Sequence, residues 1–201
     1  AVFAEKVEAE FAHTVKTLKI DAETLQKMDE NFTPFAYQNY ADEDFSELFA
    51  QYPKFKQWFN INTNAHKVQG YRIVTISLKR AGVAPGDMTT EEMNLIADLA
   101  DQYTFGELRT THEQNIALVD VPQKDLFALW QVLDANNLAR AHIGFITDII
   151  CCPGGDFCSL ANAKSIPISE AISRRFDDLD TIYNLGKLDL NISGCMNACG
   201  H

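Results

Sequence analysis

YRIVTISLKR (71–80) is the stretch on which the fold turns. Val74, Ile76 and Leu78 alternate with Thr75, Ser77 and Lys79, the period of two that marks a strand with one buried face. Gly82, Pro85 and Gly86 then bend the chain. Thr89 and Glu92 have the spacing of a capping box, so a helix opens there, with Met93, Ile96, Ala100 and Tyr103 along one face. Residues 107–120 read as two short strands around the polar run His112–Asn115. Pro122 starts a second helix that turns Leu126, Phe127, Trp130 and Leu133 to a core. Strand, helix, strand pair and helix make one α+β unit over residues 60–138.

Towards the amino end, Val7, Phe11, Val15 and Leu18 have helical spacing over residues 4–18. Residues 19–60 are acidic and aromatic. Residues 1–59 are therefore expected to be a mainly helical, acidic connecting arm that packs through its rings. The acidity is uneven: of a net charge of −11, residues 21–50 carry −7, with eight acids against Lys27. That run reads as a solvated face or as a docking patch for a basic partner. Nucleic acid is excluded as a partner, because phosphate binding needs a positive surface. No stretch reaches the ~20 apolar residues of a membrane span. The opening AVFAEKVEAEF has neither a basic start nor an apolar run, so no secretory signal and a cytoplasmic location are expected. The missing initiator Met suggests a processed chain or a piece of something larger.

Towards the carboxyl end the rhythm changes. IGFITDII (143–150) is a nearly continuous apolar run, as in a strand covered on both faces, and it leads into CCPGGDFC. Residues 158–177 read as helical with an interruption near Pro167. KLDLNIS (187–193) alternates as a strand and leads into GCMNACGH. If the two strands are parallel, both cysteine motifs lie at one edge of the sheet, where open α/β sheets hold ligands. All five cysteines lie after residue 150, which is not the spread of a disulfide framework.

Four thiols then come from Cys152-x5-Cys158 and Cys195-x3-Cys199. Zinc is one candidate, although its structural sites use shorter spacings than x5. An iron–sulfur cluster is larger and suits wider spacing, with Pro153, Gly154 and Gly155 bending closely round it. A helix beginning near Cys158 would favour an anionic cluster. Buried free cysteines are the plainest alternative. Cys151, next to Cys152 in extended backbone, faces the other way and is expected to be a buried thiol.

The pair Cys-x5-Cys and Gly-Cys-x-Asn-x-Cys-Gly resembles the cluster signature of siroheme-dependent nitrite and sulfite reductases. GELRTTHEQNIAL, followed by a Pro and a helix, resembles the ferredoxin-like half-domain that precedes the cluster in that family. The resemblance covers roughly residues 60–201. It implies an α+β chain: a ferredoxin-like half-domain over 60–138, then a small, incomplete α/β 4Fe–4S domain over 139–201. It implies a 4Fe–4S cluster on Cys152, Cys158, Cys195 and Cys199, with Cys199 also linking the cluster to the siroheme iron and so belonging to the catalytic centre. Arg109, Gln114 and Asn115 fall where a polar edge near the macrocycle is implied. The reaction implied is six-electron reduction of sulfite or nitrite, with electrons from ferredoxin or a flavoprotein.

The family has two related halves, and this chain resembles the second. The missing first half of the polypeptide would supply most of the cations that hold siroheme and substrate. A chain of net charge −11 is thus expected, alone, neither to retain siroheme nor to turn over, since buried anions need paired cations. The other reading is an electron-transfer or interaction module that holds a cluster or zinc without siroheme. His13, His66, His112 and His142 read as surface or core residues. His201 is placed to assist a zinc site.

Overall fold

The computed structural model describes residues 2–15, 17, 19–32 and 34–201. The chain divides into two units, Ala1–Tyr37 and Gln38–His201. The first holds helices α1 (Val2–Thr14) and α2 (Ala22–Glu30). Asp21 caps α2 by accepting the Thr24 N–H at 2.7 Å. Neither helix buries a residue, and Phe3, Val7 and Phe11 on α1 are exposed. Leu18, the expected end of the first amphipathic face, lies outside the described residues.

In the second unit, α3 (Ser46–Gln51) and α4 (Pro53–Asn62) lead into β1 (Thr63–Ala65) and β2 (Tyr71–Ile76). Helix α5 (Thr90–Tyr103) follows, then β3 (Leu108–Thr110), β4 (Ile116–Pro122) and α6 (Leu126–Ala135). The strands form one antiparallel sheet in the order β1-β2-β4-β3. Strands β2 and β3, joined through α5, therefore flank β4, which is the split βαβ of a ferredoxin-like unit. The capping box of α5 is present, with the Thr89 and Glu92 side chains exchanging hydrogen bonds with each other's backbone N–H. Along α5 the buried residues are Ile96, Leu99 and Ala100, while Met93 is exposed. Phe45, Phe55 and Trp58 join Val74, Ile76, Leu118, Leu126, Leu129 and Leu133 in one apolar core. Only the last part of the expected arm packs through its rings there: Phe45 lies 5.1 Å from Phe59, and Phe55 lies 5.1 Å edge-on to Phe127, whereas Phe3, Phe11 and Phe32 are exposed. Asp42 and Asp44 are not free acids, since Asp42 accepts from Gly70 N–H and Gln123 Nε2, and Asp44 from Ser46 N–H.

The polar alternates of β2 and its extension are also buried, so the sheet is covered on both sides. Ser77 Oγ lies 2.6 Å from His142 Nε2, and Lys79 Nζ lies 3.2 Å from Asp148 Oδ1. Residues 139–150 form this second cover, and they correct the expected strand over 143–150. Only Ile150–Cys151 is extended, as β5, and it pairs in parallel with β6 (Asn191–Ile192). The rest of the run folds into successive turns. Gly144 has φ 74° and donates its N–H to Asp148 Oδ2, and Asp148 N–H reaches back to the Phe145 carbonyl. The apolar run was thus buried, as read, but its polar members required a turn in which they could be satisfied.

The last helices are α7 (Gly154–Phe157), α8 (Ile166–Arg175) and α9 (Leu179–Leu185). Pro167 does not interrupt a helix over 158–177; it sits in the first turn of α8, where its missing N–H costs nothing. Among the described residues, no helix is long and apolar enough to cross a membrane.

His142 gives this layer a pH signature. It is fully buried, and its Nδ1 lies 2.7 Å from Thr147 Oγ1. Burial above all, helped by the Arg140 charge, pushes its pKa down from 6.5 to about 3. In the unfolded chain the imidazole takes up a proton near its ordinary value, but in the folded chain only near the depressed one. Stability should therefore fall as pH drops through that window, by up to about 1.4 kcal/mol per pH unit from this residue. Urea unfolding at several pH values should show a steeper acid loss for the parent chain than for His142→Gln.

Candidate functional site

The carboxyl ends of β5 and β6 meet at the cysteine motifs. The ladder uses Ile150 N–H on the Leu190 carbonyl and Cys152 N–H on the Ile192 carbonyl, both at 3.0 Å. Two residues beyond β6, Gly194 donates its N–H to Cys152 Sγ at 3.1 Å. The Gly194 carbonyl in turn accepts from Asn162 and Ala163 N–H, at 2.9 and 3.0 Å. The loop that follows Cys158 is thereby sewn to the residue preceding Cys195. These contacts need a glycine, because a Cβ on Gly194 would lie 2.7 Å from the Ala163 carbonyl oxygen and 3.1 Å from Gly154 Cα.

Cys152 is buried, and its Sγ also lies 3.3 Å from Ser165 Oγ. The Ser165 hydroxyl, with the N–H groups of Gly194 and Gly154, holds its pKa below that of an ordinary thiol. Ser165 precedes α8 without capping it, and its hydroxyl is turned to the sulfur instead. Cys151 behaves differently. It is buried, and loss of solvation, reinforced by Cys152, pushes its thiol up to about 11. Cys158 and Cys195 are half-buried, and Cys199 is exposed. Phe157, Leu160 and Met196 near these thiols are exposed as well. Among the described residues, no three His, Cys, Asp or Glu side chains stand together as ligands of one metal ion. The helix start expected at Cys158 is not there, because α7 ends at Phe157 and α8 begins only at Ile166.

The three polar residues of the 109–115 region have separate fates. Arg109 is exposed on β3 and paired with Glu107 at 3.2 Å. Gln114 spans both backbone groups of Cys151: its Nε2 donates to the carbonyl at 2.8 Å, and its Oε1 accepts the N–H at 2.9 Å. Asn115 is buried, accepting the Leu78 N–H and donating to Asp148 Oδ1 at 3.0 Å. At positions 114 and 115 the implied polar edge is therefore made of internal hydrogen bonds. The sequence reading missed Ser165, Asp148 and Lys79. A serine two residues before a proline is a readable helix-start signal, whereas no local pattern announces a lysine paired with an aspartate across the sheet.

Residues 70–136 match the nitrite/sulfite reductase ferredoxin-like half domain. They contain β2, α5, β3, β4 and α6, that is, three of the four strands of the antiparallel sheet and two helices. Over that segment the chain is similar to the nitrite and sulfite reductases. It is 32% identical over 123 residues to an assimilatory ferredoxin-dependent nitrite reductase of Haloferax mediterranei, a match covering 59% of this chain and 20% of that protein. It is 26% identical over 136 residues to a ferredoxin sulfite reductase of Mycolicibacterium paratuberculosis, covering 65% of this chain and 24% of that one. Among solved structures, the NirA protein of Mycobacterium tuberculosis superimposes with a TM-score of 0.52 at 26% identity, over 70% of this chain and 25% of that chain. The chain thus spans about a fifth to a quarter of these relatives.

The close approach of the two cysteine loops is directly testable. Gly194→Ala should destabilise the chain by about 1–3 kcal/mol through overpacking. Gly155→Ala, whose nearest contacts would be at 3.5 Å, should change stability by less than about 0.5 kcal/mol beyond helix propensity. Urea midpoints of the two variants against the parent chain check this contrast.

Proposed function

We propose that this chain is the cluster-bearing part of a siroheme-dependent reductase of sulfite or nitrite. One observation carries the reading: the Gly194 N–H on Cys152 Sγ, which joins the two cysteine motifs at one sheet edge. The donor set fits the group, since four thiols on two glycine-lined loops offer the soft ligands that iron–sulfur clusters take. In this reading Cys152, Cys158, Cys195 and Cys199 hold a 4Fe–4S cluster. Cys199, exposed near the end of its loop, is also the bridge to siroheme. When bound, the cluster would supply single electrons and siroheme the iron centre for reduction of sulfite or nitrite.

The chain's own residues have simpler tasks. Ser165 and the Gly194 N–H lower the Cys152 pKa, a shift towards the thiolate that a ligand requires. Cys151, with its raised pKa, stays a protonated core thiol. Hydrogen bonds to a ligating sulfur also raise a cluster's reduction potential by stabilising negative charge. Arg109, largely exposed, is the cation of this segment available to a macrocycle carboxylate. Relatives named for ferredoxin and for NAD(P)H both occur, so the electron donor is a ferredoxin or a flavoprotein module. A further part of the polypeptide would supply the cations that siroheme and substrate need.

The test is anaerobic reconstitution of the purified chain with iron and sulfide, with and without siroheme. The parent chain and Cys151→Ser should develop the broad visible absorption of a cluster. Serine at Cys152, Cys158, Cys195 or Cys199 should each abolish or alter it. Siroheme should not be retained stoichiometrically, and reduction of sulfite or nitrite with a chemical electron donor should be absent. Loss of the cluster in Cys151→Ser but not in Cys152→Ser would overturn the ligand assignment, and tight zinc binding without iron uptake would favour a module of the other kind.

A further inference from the structure

Gln114 occupies a conformation that its side chain does not favour. Its φ is 57°, the left-handed region in which Gly, Asn and Asp are the usual residues. The turn around it is held by Gln114 N–H on the Thr111 carbonyl and Thr111 N–H on the Asn115 carbonyl. Gly86 packs against it from the other side, where an added Cβ would stand 3.3 Å from Gln114 Cβ. A glycine at 114 would suit this backbone better. What glutamine adds is reach.

That reach meets a specific vacancy in the strand pairing. In a parallel ladder, alternate residues bond to the same neighbour. Ile150 and Cys152 donate to β6, so the N–H and C=O of Cys151 face the opposite edge of β5. Among the described residues, no strand lies there. The primary amide of Gln114 takes both groups at once, at 2.8 and 2.9 Å, and so acts as a one-residue strand. The segment 150–152 is thereby held from both edges, and Cys152 is aimed at Gly194 N–H and Ser165 Oγ.

We infer that Gln114 is a positioning residue: from the ferredoxin-like half-domain it clamps the Cys151 backbone and so fixes where the Cys152 sulfur stands. The inference rests on the reading of Cys152 as a cluster ligand and deepens it, giving the half-domain a mechanical part in the geometry of the first cysteine loop. Neither ionisation nor a contact with siroheme is involved.

Gln114→Gly and Gln114→Asn separate this role from a role in the turn alone, because both residues accept left-handed backbone and neither can reach Cys151. The first readout needs no cofactor. The full chain is alkylated under native conditions with iodoacetamide, each cysteine is followed by peptide mass spectrometry, and circular dichroism confirms the fold. Cys152 alkylation should accelerate about tenfold in both variants, the scale set by losing two neutral hydrogen bonds from a locally opening segment. Cys158 should react as in the parent chain. Parent-like rates at Cys152 in both variants would overturn the clamp. The second readout is the rate at which a chelator bleaches the reconstituted chain, which should rise in both variants. If the parent chain assembles no cluster, the ligand reading fails, and the alkylation rates still decide whether Gln114 is a clamp. If it assembles one and both rates stay unchanged, the ligand reading survives and the clamp does not.

Discussion

The Asp148 carboxylate is the interaction on which the rest of the second unit depends. It accepts from Lys79 Nζ at the end of the first long strand, from Asn115 Nδ2 in the β3–β4 turn, and from Gly144 N–H within its own loop. Three separate parts of the chain are joined at one buried anion. Lys79 is itself buried deeply enough that loss of solvation lowers its pKa, with Asp148 opposing that shift. A buried pair of this kind gives little net stability, but loss of either member leaves a charge without compensation, at a cost of about 3–5 kcal/mol. Its consequence is therefore placement: the second cover of the sheet is held in one register, and β5 leaves that cover in line with β6.

From that register the cysteine edge follows in short steps. Parallel pairing over two residues brings the motifs side by side, the glycines at 154 and 194 let their backbones touch, and Ser165 turns its hydroxyl to Cys152. The ferredoxin-like half-domain contributes through one turn, residues 111–115, whose two amide side chains hold the Cys151 backbone and Asp148. In the function proposed above, such a turn gives the half-domain a direct hand in where the cysteine sulfurs lie.

Much of this was legible in the residues. The alternation of 71–80, the Thr89–Glu92 capping box and the strand pair around 112–115 are local patterns, and the structure contains all three. The parallel pairing of the two late segments also follows their order, although each strand is two residues long rather than seven or eight. What could not be read was the back of the sheet. Thr75, Ser77 and Lys79 look like a solvent face, because alternation reports only that one side is apolar. Their burial depends on His142 and Asp148, more than sixty residues away, and no local period encodes that. Gln114 was picked out as polar and near the site. Its partner proved to be the backbone of Cys151, a group whose availability follows from strand direction and not from residue type.

The central claim is that the two cysteine loops share one edge and together take a single iron–sulfur cluster. X-ray absorption at the iron edge of the anaerobically reconstituted chain tests it most directly. The account predicts an iron shell made of sulfur alone, with iron–iron scattering beyond it, from a chain carrying about four irons. A shell of nitrogen or oxygen, or sulfur ligation without any iron–iron scattering, would contradict it.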